Sequence, residues 1–168
     1  VQKYMREEFG NAGSRTHDFG LRAKLASERA REHVASVVKC KIDEVVFTSG
    51  ATESNNLAIL GLIKYGEETG RKHVVSTQIE HKAVLEPLSF MESRGFEVSL
   101  IPPTRGGWVE AEAIERAVRK DTLLVSVMHV NNETGVIQPI TGIAEHLKDH
   151  EAIFHVDAAQ GFGKDIPT

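Results

Sequence analysis

The apolar positions of this chain follow two alternating spacings. Short runs of β-branched and other apolar residues predict buried strands, and apolar residues spaced three and four apart predict helices. Strands are predicted at 45–48, 73–77, 96–101, 122–129 and 152–156. Helices are predicted at 52–65, 82–93, 110–119 and 141–148, after a longer helix that Asp18 caps and that continues to Val38. The alternation predicts an α/β fold with a mainly parallel sheet and helices on both faces.

The composition is typical of a soluble globular protein. The chain has 168 residues, of which 40% are apolar and 26% charged, and its net charge of −4 comes from interspersed acids and bases. This pattern does not indicate binding to nucleic acid or to an anionic membrane. The apolar runs are far shorter than the roughly 20 residues of a transmembrane helix. With one cysteine, Cys40, and no signal-peptide pattern at its start, the chain is expected to be cytoplasmic.

One stretch, from Val45 to Ala58, has the pattern of a strand, a turn of small residues and a helix. Gly50 would let a ligand approach the backbone, and the first turn of a helix attracts an anion such as phosphate. The hydroxyl groups of Ser49 and Thr52 would add donors. Taken alone, the stretch favours the ordinary interpretation, a helix that follows a strand with Thr52 as its N-cap.

Polar side chains follow four of the five predicted strands. Ligands of parallel α/β proteins bind beyond the carboxyl ends of the strands, so these side chains predict a ligand site. A phosphate suits Thr52, and a flat ring suits stacking on the imidazole of His81. A protonated ring nitrogen suits the carboxylate of Asp157, and a phenolic oxygen suits an amide donor such as Asn132 or Gln160. Together these groups predict pyridoxal 5′-phosphate, whose ring is an electron sink for a carbanion.

Several longer segments have a more specific pattern. They are FTSGATESNNLAI (47–59), IEHKAVLEPL (79–88), GFEVSLIP (95–102), DTLLVSVMHVNNETGVIQPI (121–140), FHVDAAQGFGK (154–164) and the loop GNAGSRTHDFG (10–20). In these segments the chain resembles the cysteine desulfurases of the class-V aminotransferase family, which are pyridoxal-phosphate enzymes of fold type I. The resemblance implies that the chain is part of the large domain of such an enzyme.

The resemblance also implies a role for each matching residue. Ala51 and Thr52 would bind the phosphate, and His81 would stack on the ring and is the candidate acid or base. The remaining cofactor contacts would be Asn132, Asp157 and Gln160. A loop near the mouth of the site would contribute Asn11, Ser14 and His17. The implied reaction removes sulfur from L-cysteine and gives L-alanine and an enzyme persulfide. The implied partners are a sulfur-acceptor protein of iron–sulfur assembly or of tRNA or DNA thiolation, and a second copy of the parent enzyme in a homodimer. No binding to a membrane is implied.

The chain departs from the family pattern in its covalent catalysts. The family's Schiff-base lysine lies in a Ser-x-His-Lys sequence, which does not occur here, and Lys82 occupies a different family position. The nucleophilic cysteine also lies further along the family sequence, and Cys40 matches a non-catalytic position. We therefore expect 1–20 to be a remnant of the amino-terminal segment and active-site loop, and 21–168 to be an incomplete cofactor-binding domain that is inactive alone.

The strand order that the resemblance implies also concerns the strand predicted at 45–48. This strand is expected to pair with none of the other four.

Three alternatives stay open from the sequence. His155 and Asp157 would share one face of a strand, and with His81 or His129 they suit a zinc or iron ion. The cofactor interpretation also explains Thr52 and the two amides, so it predicts no metal. Another class-V enzyme, such as a selenocysteine lyase, shares the same cofactor motifs. A non-catalytic binding module is the third alternative.

Overall fold

The computed structural model describes residues 2–14 and 16–165. The chain divides into two compact units, Val1–Phe47 and Thr48–Thr168. The division predicted from sequence, 1–20 and 21–168, concerns domains of the parent enzyme and stays a prediction.

In residues 2–14 and 16–47, the first unit has two helices and a short 3₁₀ turn. They are α1 (Gln2–Arg6), α2 (Asp18–Val38) and the 3₁₀ turn Ile42–Glu44. The prediction that Asp18 caps α2 is wrong, because Asp18 is the first residue of the helix and His17 is the N-cap. The imidazole Nδ1 of His17 accepts a hydrogen bond of 3.1 Å from the backbone N–H of Gly20. Asp18 lies in the first turn, where a negative charge is favoured by the helix dipole.

Residues 45–48 do not form the predicted strand. Their backbone is in no regular element, although Val45 is extended with φ −91° and ψ 118°. Val46 and Phe47 are 65% and 50% exposed, and the Val45 carbonyl accepts a bond from the side chain of Arg31. A strand needs a neighbour for its backbone groups, and none of the four strands described below pairs with this segment. The expectation that a strand at 45–48 pairs with none of them stays a prediction, because these residues do not form a strand.

The second unit is a parallel α/β sheet. Its helices are α3 (Ala51–Leu60), α4 (Ile63–Thr69), α5 (Lys82–Ser93), α6 (Ala111–Ala117) and α7 (Ile140–Leu147). Its strands are β1 (His73–Thr77), β2 (Glu97–Ile101), β3 (Thr122–Met128) and β4 (Ile153–Asp157). In the described residues the strand order is β2-β1-β3-β4, and each neighbouring pair is parallel. The predicted α/β class is confirmed.

Two hydrophobic clusters cover the opposite faces of the sheet. Successive residues of a strand point to opposite faces, and Val74 and Leu124 belong to one cluster whereas Val75 and Val125 belong to the other. The first cluster includes residues of α3 and α5, and the second includes residues of α6 and α7. The central strand β3 is buried along its whole length, which explains why its sequence is almost continuously apolar.

Four of the five predicted strands and all the helical segments of this unit are present. The predicted helix 52–65 is divided, because α3 ends at Leu60 and α4 begins at Ile63. A Cβ atom on Gly61 would lie 2.6 Å from the carbonyl oxygen of Leu57, so glycine is needed where the chain turns between the two helices. All four strands run in the same direction, and their carboxyl ends therefore lie at one edge of the sheet, where α3 and α5 also begin.

Candidate functional site

A cavity of about 230 Å³ lies at the carboxyl edge of the sheet. It is lined by Ala51, Thr52, His81, Met128, Val130, Asn132, Asp157, Ala159 and Gln160. All six residues that the sequence predicted as cofactor contacts are therefore brought together in one place. The volume is below the range of about 300–1,000 Å³ that is usual for drug-sized ligands, which favours a single substituted ring over a dinucleotide.

The amino terminus of α3 forms one wall of this cavity. The N-cap is Gly50, and no side chain caps the helix, so the prediction that Thr52 is the N-cap is wrong. Thr52 is instead an exposed residue of the first turn that lines the cavity. Glu53 of the same turn accepts bonds of 2.6 Å from the backbone and the hydroxyl of Ser49, and these bonds lower the pKa of Glu53. The uncapped N–H groups and the helix dipole favour an anion beside Ala51 and Thr52.

Asp157 is a buried carboxylate at the end of β4. It is 8% exposed, and its two oxygens have different partners. Asn55 of α3 donates its side-chain N–H to Oδ2 at 2.8 Å, and the backbone N–H of Ala159 donates to Oδ1 at 3.0 Å. Two donors from two elements fix the carboxylate in the cavity wall, where it can pair with a cationic ring nitrogen.

His81 lines the cavity and directly precedes α5. It is the N-cap of this helix, and its Nδ1 accepts a hydrogen bond of 3.1 Å from the backbone N–H of Ala83. An accepting Nδ1 carries no proton, so the neutral ring carries its proton on Nε2. The ring itself is exposed to the cavity, and Nε2 is the nitrogen that is left for a ligand.

Asn132 and Gln160 are exposed amides on loops that follow β3 and β4. The loop of Gln160 packs closely on a buried imidazole, because a Cβ atom on Gly161 would lie 2.1 Å from Nδ1 of His129. Nε2 of His129 is 3.0 Å from a carboxylate oxygen of Asp165 on the same loop. Glycine at 161 therefore allows the close approach that places Gln160 at the cavity.

The three predicted mouth residues lie in the first unit. The side chain of Asn11 accepts a bond from the backbone N–H of Gly13, and the hydroxyl of Ser14 lies 3.1 Å from Nε2 of His17. His17 is thus engaged on both ring nitrogens, since its Nδ1 caps α2. These contacts order the loop locally, and the roles of the three residues toward a substrate stay predictions.

The residues proposed for a metal ion do not form a ligand set. In residues 2–14 and 16–165, no three His, Cys, Asp or Glu side chains form a group that could hold an ion. Nδ1 of His155 is 2.8 Å from the hydroxyl of Ser126, and burial lowers the pKa of His155. Asp157 accepts bonds from Asn55 and Ala159 instead. Cys40 is a free, half-buried thiol of the first unit.

Three residues of this region were missed by sequence reasoning. They are Asn55, which holds Asp157, and Glu80 and Asn131, which lie behind the cavity wall. Each is buried, at 4%, 6% and 9% exposure. The available signal for Asn55 was its spacing of four from the buried Ile59, which places a polar side chain on the buried face of α3. A buried polar side chain needs a partner, and Asp157 supplies it.

The fold and the cavity define the class of protein, a parallel α/β protein with a polar-lined cavity beyond its strand ends. Residues 1–166 match the family described as aminotransferase class-V. The cysteine desulfurase IscS of Dictyoglomus turgidum is 44% identical over 163 residues, which cover 97% of this chain and 41% of that protein. IscS of Photobacterium profundum is 49% identical over 156 residues, which cover 93% of this chain and 38% of that protein.

Solved structures give the same result. DndA from Streptomyces lividans superimposes with a TM-score of 0.91 at 57% identity, over 98% of this chain and 46% of that one. SspA, solved in complex with cysteine, superimposes with a TM-score of 0.88 at 41% identity, over 96% of this chain and 46% of that one. The chain belongs to the class-V aminotransferase family. It spans less than half the length of these relatives. Among the described residues, no helix has the length and apolar character to cross a membrane.

Proposed function

We propose that this chain is part of a pyridoxal-phosphate-dependent cysteine desulfurase, which takes sulfur from L-cysteine and gives L-alanine and an enzyme persulfide. The observation that carries the proposal is the single cavity lined by all six predicted cofactor contacts. The relatives named cysteine desulfurase support the reaction, and the SspA structure in complex with cysteine supports the substrate.

The donor set of the cavity fits the cofactor. The uncapped start of α3, with Ala51 and Thr52, would hold the phosphate. Asp157 would pair with the ring nitrogen, because it is a buried carboxylate with a fixed orientation. The imidazole of His81 would stack on the ring. Asn132 and Gln160 would donate amide N–H groups on the phenolic side of the ring.

Bound in this way, the cofactor supplies an electron sink for a carbanion formed on the substrate. The chain's own residues orient the ring and keep its nitrogen beside a negative charge. His81 holds a proton on Nε2 while Nδ1 is engaged by Ala83, so its cavity-facing nitrogen is a donor. We assign Asn11, Ser14 and His17 to the substrate side of the site, in line with the family loop that they match.

Residues 1–168 supply the non-covalent part of this site. They contain no Ser-x-His-Lys sequence, and Lys82 is an exposed residue that begins α5. We therefore propose that these residues by themselves do not release sulfur from cysteine, since they lack a positioned Schiff-base lysine and a nucleophilic cysteine. The proposed partners of the whole protein are a sulfur-acceptor protein and a second copy in a homodimer.

The test is a cysteine desulfurase assay on the whole protein with pyridoxal phosphate, measuring L-alanine and protein persulfide. Borohydride reduction and peptide mapping then locate the modified lysine. We expect alanine formation from the whole protein, and no stoichiometric pyridoxyl-lysine within residues 1–168. A protein that binds pyridoxal phosphate but forms no alanine from cysteine contradicts the reaction. A single stoichiometric adduct on Lys82 contradicts the assignment of the lysine.

A further inference from the structure

Glu80 is a buried carboxyl group directly behind the cavity wall. It is 6% exposed and lies between the end of β1 and the start of α5. Its Oε1 accepts a bond of 2.7 Å from the hydroxyl of Thr77 and one of 2.9 Å from the backbone N–H of Met128. Its Oε2 is buried and has no hydrogen-bond partner among the described residues. One oxygen of this carboxyl therefore joins the ends of β1 and β3, and the other is isolated.

This arrangement favours the protonated form of the acid. A carbonyl oxygen has two lone pairs and accepts both donors at Oε1, whereas a proton on Oε2 removes the negative charge that an isolated buried oxygen would carry. Burial raises the pKa of Glu80 to about 7, and the nearby charge of Asp157 acts in the same direction. The bonds from Thr77 and Met128 oppose this rise without cancelling it. Among neighbouring charged groups, Asp157 faces Glu80 from β4, and His81 follows it in the chain.

A second contact holds the same loop. The side-chain N–H of Asn131 donates to the carbonyl of Ile79 at 3.1 Å. Oδ1 of Asn131 accepts bonds from the backbone N–H groups of Glu133 and Thr134, so its own loop is ordered around it. The loop before α5 is thus attached at two adjacent residues, because Glu80 bonds to the last residue of β3 and Ile79 bonds to the loop that follows β3.

Glu80 and Asn131 are each followed by a residue that lines the cavity. His81 follows Glu80, and Asn132 follows Asn131. A displacement of Glu80 relative to Met128 would therefore change the separation of His81 and Asn132. We propose that Glu80, through the two hydrogen bonds at its Oε1, is the positioning residue that sets His81 and Asn132 at the right separation for the cofactor ring. This inference rests on the proposed function, because the ring is what the two side chains would contact.

The experiment compares Glu80→Gln and Glu80→Ala in the whole protein, with Glu86→Gln as the matched control. Glu86 is an exposed glutamate of α5, so Glu86→Gln changes the charge without touching a buried contact. Glu80→Gln keeps the accepting oxygen and carries no charge at any pH. The first measurement is the amide chemical shift of Met128 from pH 4 to pH 9, because this N–H donates to Glu80. The second is the affinity for pyridoxal phosphate at pH 6.

We expect the Met128 amide to titrate with a midpoint near 7 in the wild type and in Glu86→Gln, and not to titrate in Glu80→Gln. We expect Glu80→Gln to bind pyridoxal phosphate within about twofold of the wild type, since it keeps both bonds at Oε1. Glu80→Ala loses them, and its affinity is expected to fall about tenfold, the equivalent of a single net hydrogen bond of about 1.4 kcal/mol. The resonances of the His81 ring should move in Glu80→Ala and not in Glu80→Gln.

Three outcomes overturn the positioning role. They are a folded Glu80→Ala with wild-type affinity, a Glu80→Gln that binds tenfold more weakly than the wild type, and a Met128 amide whose shift is the same in Glu80→Ala as in the wild type, which would show that its bond to Glu80 is absent. A Met128 titration centred near 4.5 would contradict the raised pKa of Glu80. If Glu80→Ala does not fold, the glutamine variant and the Met128 titration decide the matter. A wild-type protein that binds no pyridoxal phosphate contradicts the proposed function itself, which is a different result from normal binding in Glu80→Ala.

Discussion

The two edges of the sheet carry similar polar side chains, but these side chains have different kinds of partners. At the amino edge, His73 is fully buried, with its two ring nitrogens 2.8 Å and 2.9 Å from the hydroxyls of Thr122 and Ser99. Arg119 pairs with Glu97 at 2.7 Å and with Asp121 at 3.1 Å. Each of these groups bonds to another group of the chain itself.

At the carboxyl edge, several polar groups face a cavity instead. Thr52, Asn132 and Gln160 are exposed around it, and the start of α3 has no side-chain cap. The amino edge is therefore a source of stability, whereas the carboxyl edge leaves hydrogen-bonding capacity for a ligand, as expected for a parallel α/β sheet.

The sharpest test of this difference compares an aspartate at each edge. Asp157→Asn should weaken binding of pyridoxal phosphate by at least about 30-fold, because loss of one partner of a buried charge pair costs about 2–5 kcal/mol. Asp121→Asn, at the start of β3, should leave the affinity unchanged. A titration followed by absorbance measures both. Equal affinities of the two variants would show that the carboxyl edge is not the cofactor site.

The pH dependence of stability should have opposite slopes for the two edges. Glu80 has a pKa of about 7 in the folded chain and an ordinary value of 4.5, so the unfolded chain loses this proton first. The free energy of unfolding should then fall by about 3 kcal/mol as the pH rises from about 4.5 to 7. Urea unfolding of Glu80→Gln should lack this decrease, and the exposed Glu86→Gln should keep it.

His73 should act in the other direction. Burial, and next the charge of Arg119, lower the pKa of His73 below its ordinary value of 6.5, so the unfolded chain binds this proton first. The free energy of unfolding should therefore fall as the pH decreases below about 6.5. His73→Gln should reduce that loss, whereas His33→Gln, an exposed residue of α2, should not. An acid-side slope that is unchanged in His73→Gln would contradict the lowered pKa of the buried, hydrogen-bonded His73.

A pair of threonines separates stability from binding. Thr122 accepts a bond of 2.7 Å from the backbone N–H of Arg119 and pairs with His73, so Thr122→Val should cost about 1–3 kcal/mol of unfolding free energy. Its affinity for pyridoxal phosphate should be unchanged. Thr52→Val is on an exposed first turn and should change stability by less than about 0.5 kcal/mol while weakening the affinity several-fold. If both variants lose stability and neither loses affinity, Thr52 is an ordinary helix residue.

The smallest effect is expected from the ion pairs of the amino edge. Arg119→Ala removes the bonds to Glu97 and Asp121, which are both exposed or nearly so, and solvent screens such pairs strongly. The urea midpoint should move less than in Thr122→Val. Raising the salt concentration should reduce even this difference, and a larger shift than in Thr122→Val would reverse the ranking.

The sequence predicted some parts of the second unit closely. Helix α5 has the predicted bounds, Lys82–Ser93, and β1 has the predicted bounds, His73–Thr77. These elements are buried on one or both sides, so their apolar spacing records their burial directly. The segment 45–48 has an equally apolar sequence and forms no strand. Apolar spacing indicates which side chains a segment could bury. A strand also needs a neighbouring strand for its backbone groups, and apolar spacing does not predict whether one is present.

Helix starts were less predictable. Thr52 and Asp18 have the residue types of N-caps, but Gly50 and His17 occupy those positions. Several residues near a helix start can serve as the cap, and the turn before the helix selects among them. His81 shows the same effect, because an imidazole is an uncommon cap and its Nδ1 bond to Ala83 could not be read from its neighbours.

The amino-acid sequence by itself determined the alternation of strands and helices, and with it the edge at which Thr52, His81 and Asp157 would lie. Parallel strands end at one edge whatever their order, so the identity of the cavity residues followed from local pattern. Only the tertiary structure decided the partners behind them. Asn55 meets Asp157 across 102 residues, and Glu80 meets Met128 across 48. The pKa of Glu80 is raised by the water that folding removes and by the charge of Asp157 that folding brings close, and neither is a property of neighbouring residues in the chain.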